Sequence, residues 1–67
     1  MKIFSVVKTA KLDGREIVLG IERINADYMK LENGHLIFRK FGGHSNSYPE
    51  TTRVFAPGTW REVELVS

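Results

Sequence analysis

The sequence predicts an all-β fold, a small antiparallel β meander or barrel-like domain of about five to six strands. Three observations lead there. Val, Ile, Thr, Phe, Tyr and Trp supply 22 of the 67 residues against three alanines, a balance that favours pleated, half-buried strands over helix. Turn chemistry recurs at Leu12-Asp13-Gly14, Glu32-Asn33-Gly34, Gly42-Gly43 and Ala56-Pro57-Gly58, at the spacing of short strands in a sandwich or barrel. At 67 residues there is material for one hydrophobic core, so residues 1–67 read as a single small domain.

The first strand pair joins Lys2 to Leu12 with Arg15 to Ile24 through Asp13-Gly14, a dipeptide that tolerates the positive φ of a tight hairpin turn. Regular alternation from that turn puts Phe4, Val6, Ala10 and Leu12 on one face with Ile17, Leu19 and Ile21. The opposite face then pairs Lys11 with Glu16 and Ser5 with Glu22.

Asn33-Gly34 makes the cleaner second hairpin. A two-residue turn there opposes Leu31 to Leu36 and Met29 to Phe38 on a core face that ends in Asp27 against Lys40. The other face opposes Glu32 to His35, Lys30 to Ile37, Tyr28 to Arg39 and Ala26 to Phe41, a polar surface with an aromatic-cation contact. A competing reading makes residues 21–33 a helix and the fold α+β, because Ile21, Ile24, Tyr28 and Leu31 recur at helical spacing and Gly34 could cap it.

Residues 42–52 form a polar connection, long for so small a domain, and such loops are commonly functional. After Arg53-Val54-Phe55-Ala56, Pro57-Gly58 has the order of a type II turn, which splays strands, so a wider connection or a bulge is expected before the last strand. In that strand Val63 and Leu65 mark one buried face.

Composition narrows the function classes. A chain this short has a net stability of only about 3–5 kcal/mol from its core, and with no cysteine and two histidines neither a disulfide nor a closed zinc site can reinforce it. Association with another molecule is the remaining route, and an exposed sheet edge leaves self-pairing into a homodimer open. Lys8 interrupts the first apolar run before the core of a signal peptide could be complete, and no run is long enough to span a membrane as a helix. The expected location is cytoplasmic.

The net charge of +2 is unevenly spread, with Arg39, Lys40, Arg53 and Arg61 facing only Glu50 between residues 35 and 61. That excess is modest for a dedicated nucleic-acid binder. No serine sits in a nucleophile elbow and Gly42-Gly43 lacks the context of a phosphate loop. His35, His44 and Glu50 match no metal-ligand spacing. No catalytic residue, metal or cofactor is expected.

These readings converge on a non-catalytic binding protein, an adaptor or inhibitor that docks on a larger macromolecule, with a protein as the leading partner. Compact, motif-free chains of this size are frequent among accessory proteins of bacteriophages and mobile elements. The expected partner-binding residues are Arg39, Lys40, His44, Tyr48, Arg53, Trp60 and Arg61, since arginine and aromatic side chains dominate interface hot spots. Trp60 reads first as a lid on the core and second, with Phe55, as an exposed anchor. The alternative function is a single-stranded nucleic-acid-binding β barrel, with Tyr28, Lys30, Arg39 and Lys40 as its stacking platform.

Overall fold

Among the described residues every strand is antiparallel to its neighbours, and together the strands build two sheets that face each other across one core. The computed structural model describes residues 1–42 and 49–67. Strand β1 runs Lys2–Leu12, β2 Arg15–Ala26, β3 Tyr28–Glu32, β4 His35–Lys40, β5 Glu50–Phe55 and β6 Trp60–Leu65. The first sheet has the order β2-β1-β6 and the second β3-β4-β5. Residues 21–33 are therefore strand, bend and strand, and the competing helix does not form. Ile21, Ile24, Tyr28 and Leu31 mimic a helical period only because β2 and β3 lie end to end.

Both tight hairpins form at the expected dipeptides. Asp13 and Gly14 have φ of 53° and 75°, and Asn33 and Gly34 have 51° and 80°, the doubly positive pattern whose twist matches two antiparallel strands. The β3–β4 register is the expected one throughout, from Tyr28 opposite Arg39 to Glu32 opposite His35. At its end the arrangement differs. The Asp27 carboxylate accepts the Phe41 backbone N–H at 2.7 Å and lies 3.9 Å from the N-terminal ammonium, so it does not form the expected pair with Lys40.

The β1–β2 register departs from simple alternation. From Leu12 opposite Arg15 to Thr9 opposite Val18 the pairing follows the turn, and then β2 carries an extra residue at Leu19, so that Lys8 faces Gly20 and Ser5 faces Arg23. This is a β-bulge. Gly20, at φ 142°, supplies a backbone angle that residues with a Cβ rarely adopt. Beyond the bulge every β2 side chain changes face, which puts Glu22 opposite Val6 and Ile24 opposite Phe4.

Phe4, Val6, Ile24 and Ala26 from the first sheet and Leu36, Phe38 and Phe55 from the second form the core, with Trp60 and Val63 packed against it. Phe38 is its centre, with its ring 5.3 Å from that of Phe4 and 6.1 Å from that of Phe55. Several residues expected inside lie at the surface. Leu12, Leu19 and Ile21 are 61%, 63% and 65% exposed, and Leu31, Leu65 and, less so, Met29 are also exposed. The bulge explains Ile21, which it turns to the face of Val7 instead of that of Val6, and length explains Leu12 and Leu19. A strand of twelve residues reaches about 40 Å and one of six about 20 Å, so the second sheet covers only half of the β1–β2 hairpin. The rest projects as an arm, and the molecule measures 48 Å along its long axis. Met29 and Leu31 are exposed because β3 is an edge strand.

The last connection is a β-turn, with the Thr59 N–H donating to the Ala56 carbonyl at 3.2 Å and Gly58 at φ 82°. As expected, it does not make a hairpin. It carries the chain from β5 to β6, which pairs with β1 through a bulge at Arg61.

Truncating Phe38 to Ala should remove about 3–5 kcal/mol, close to the whole stability of a domain this size. Circular dichroism during urea titration should show no cooperative transition for Phe38→Ala, whereas Met29→Ala should stay within about 1 kcal/mol of the parent. Equal losses in the two variants would contradict this placement of the core.

Candidate docking surface

Alternation along β3 and β4 sends Tyr28 and Lys30, with Ile37 and Arg39 opposite them, to the outer face of the second sheet, as the hairpin register predicts. Phe41 continues the same face just past β4, and its ring centroid lies 5.6 Å from that of Tyr28. Phe41 is 66% exposed. Arg39 is half-buried between Tyr28 on one side and Thr51 of β5 on the other. An arginine beside a paired tyrosine and phenylalanine is thus held on a rigid sheet.

Lys30 is less free than the sequence suggests. Its ammonium is 3.0 Å from Glu32, and the Glu32 carboxyl is held below its ordinary value first by the hydrogen bond from Lys30 and then by the Lys30 charge. Lys40 alternates to the other face, opposite Glu50. Of the four platform residues, Tyr28, Lys30 and Arg39 share a face and Lys40 does not.

Two of the expected partner-binding residues make contacts within the fold. The Arg53 guanidinium binds Glu22 with both arms, at 2.8 and 3.1 Å, while its carbon lies 4.3 Å from the Phe55 ring centre. This is a tie between the two sheets, and Lys8 adds a second cation to Glu22 at 3.4 Å. Trp60 donates its indole N–H to the Gly34 carbonyl at 3.1 Å, which pins the β3–β4 turn to β6 and agrees with its reading as a lid. A Cβ at Gly34 would sit 3.1 Å from Pro57, so the two turns are in close contact there. Arg61 is exposed on β6, in the first sheet. His44 and Tyr48 lie outside the described residues, as does most of the 42–52 connection.

A cavity of about 440 Å³ opens where the arm leaves the body, between Lys8, Ala10 and Leu19 on one side and Val54, Phe55 and Thr59 on the other. Its only titratable lining groups are Lys8 and Arg53, and Glu22 binds both. Among the described residues no three His, Asp or Glu side chains gather as a metal site, and no helix is long and apolar enough to cross a membrane.

Sequence reasoning missed Phe41 as the aromatic partner of Tyr28 and Glu22 as the inter-sheet anchor. Gly20, an isolated glycine in an apolar strand, was the available signal for the second, since such glycines mark bulges.

The Glu22–Arg53 tie makes stability depend on acid pH. The Glu22 carboxyl is held below its ordinary value chiefly by the hydrogen bond from Arg53, against a smaller opposing effect of burial. A group with a lowered folded-state pKa contributes its full stability above the ordinary carboxylate range and loses it as pH falls through the lowered value. For so exposed a pair that contribution is roughly 1 kcal/mol. Urea titrations between about pH 7 and pH 3 should show Glu22→Gln less stable by that amount at neutral pH, with the gap to the parent closing in acid. A gap that stays constant with pH would contradict the tie. Set against known proteins, the chain matches no family model, no curated protein and no solved structure.

Proposed function

We propose that this chain is a non-catalytic binding protein, an adaptor or inhibitor, that docks on a larger protein through the outer face of β3–β4–β5. The observation that carries this reading is the Tyr28–Phe41 ring pair beside Arg39, held in place by the sheet and uncovered by the first. Tyrosine and arginine are the residue types most enriched among interface hot spots, and a preorganised face loses little entropy on binding. The titratable groups at the cavity between Lys8 and Phe55 are tied up in ion pairs, which leaves that cavity without an acid-base pair.

The same rings could stack nucleotide bases. The charge distribution favours a protein partner, because Lys30 pairs with Glu32, Arg53 with Glu22, and Lys40 faces Glu50. Among the described residues Arg39 is then the one cation of the β3–β4 outer face without a salt bridge, too little charge to track a phosphate backbone.

Two experiments test the reading together. Labelled single-stranded oligonucleotides, titrated at about 50 and 200 mM salt, should show no tight binding. Affinity capture with the parent chain should retain a protein that a Tyr28→Ala/Phe41→Ser variant loses by at least about tenfold, with unchanged circular dichroism. Tight oligonucleotide binding that falls steeply with salt, abolished by the same substitutions, would replace the protein reading with the nucleic-acid one.

A further inference from the structure

We infer that two copies of this chain pair along β2, antiparallel about a two-fold axis, and join their first sheets into one six-stranded sheet. The inference goes beyond the docking face on β3–β4–β5, which lies in the other sheet and stays open.

The edge itself is the first observation. β2 borders the first sheet over twelve residues, the longest strand in the fold. Natural edges are blunted by shortness, proline, charged side chains or a bulge; β2 is long and free of proline and lysine, and its bulge at Leu19 and its charges at Arg15, Glu16, Glu22 and Arg23 restrict the register in which it can pair. Val18, Leu19 and Ile21 along it are 50%, 63% and 65% exposed.

The second observation is that one face of this edge is complementary to itself. Glu16, Val18, Ile21 and Arg23 oppose Lys11, Thr9, Val7 and Ser5 of β1, and alternate residues of one strand share a face. Read along the strand, the face runs acid, apolar, apolar, base. Reversed against its own copy, Glu16 meets the partner's Arg23 and Val18 meets the partner's Ile21, and the two-fold repeats both contacts.

The bulge makes this self-match. Glu16 and Arg23 are seven positions apart, and regular alternation would send them to opposite faces. The extra residue at Leu19 brings them to the same one. A register shifted by one residue would set Glu16 opposite the partner's Glu22 and Arg15 opposite the partner's Arg23, side chains that lie on different faces, so both ion pairs would be lost. Glu22 is in any case engaged with Arg53. Among the described residues neither Glu16 nor Arg23 takes part in a salt bridge.

The other edges fit less well. β3 and β5 are five and six residues long, and β6 carries Glu62 and Glu64, both exposed, which would set acid near acid in a self-pairing.

Sedimentation equilibrium of the parent chain should give twice the 7.7 kDa of one copy, with the monomer appearing on dilution. Glu16→Arg alone and Arg23→Glu alone should each weaken association by about tenfold or more, because each reversal places like charges opposite twice per dimer. The double variant Glu16→Arg/Arg23→Glu should restore it. Both positions are exposed, and unchanged circular dichroism checks that each variant folds. A parent chain that stays monomeric up to about 1 mM, the weakest affinity at which such an edge would count as an interface, overturns the inference. So does a dimer indifferent to the single reversals, or one that the double variant fails to restore.

Discussion

The β-bulge at Leu19, opposite Lys8, decides which way each half of the longest strand looks. Before it, β2 follows the alternation set by the Asp13-Gly14 turn. After it, Ile24 and Ala26 turn inward to meet Phe38 and Leu36, and Glu22 turns to the side from which it can reach Arg53 in the other sheet. Without the extra residue Arg23 and Asn25 would face the core, and burying an unpaired guanidinium costs far more than a domain with about 3–5 kcal/mol of stability could offset. The core, the inter-sheet tie and the outward face of the β2 edge all follow from that one register shift.

The second constraint is a difference in length. Eleven- and twelve-residue strands in one sheet face five- and six-residue strands in the other, so the body is a short sandwich and the remainder of β1–β2 is a two-stranded arm. Two polar ties at separate points reinforce a core of seven buried apolar residues. Arg53 grips Glu22 near the base of the arm, and Trp60 grips the Gly34 carbonyl beside Pro57. These contacts use side chains whose type alone suggests a binding role, and they leave the exposed Phe41, with the half-buried Tyr28 and Arg39 beside it, on the outer face of the second sheet.

Much of this was legible in the sequence where local chemistry and periodicity agree. The Asn33-Gly34 turn, with complementary cross-strand pairs on both sides, leaves only one register, and it is the observed one. The Pro57-Gly58 turn was legible from its dipeptide as one that does not close a hairpin, although it is a tight hydrogen-bonded turn and not the wider connection expected. Ile21 is exposed because the bulge reverses its face, whereas Ile17 and Leu19 escape a reading by periodicity because alternation reports only which residues share a face. It does not report whether another sheet covers that face. The contacts of Arg53 and Trp60 were not legible for a related reason, since Glu22 and Gly34 are 31 and 26 residues away and only the packing of the two sheets brings them together.

Nuclear Overhauser contacts across β1 and β2 test the register shift most directly. The account predicts cross-strand contacts from Ser5 to Arg23 and from Val6 to Glu22, together with Lys11 to Glu16 nearer the turn. Contacts from Ser5 to Glu22 and from Val6 to Ile21 would mean regular alternation without a bulge. They would remove the inward placement of Glu22 and the self-complementary edge along with it.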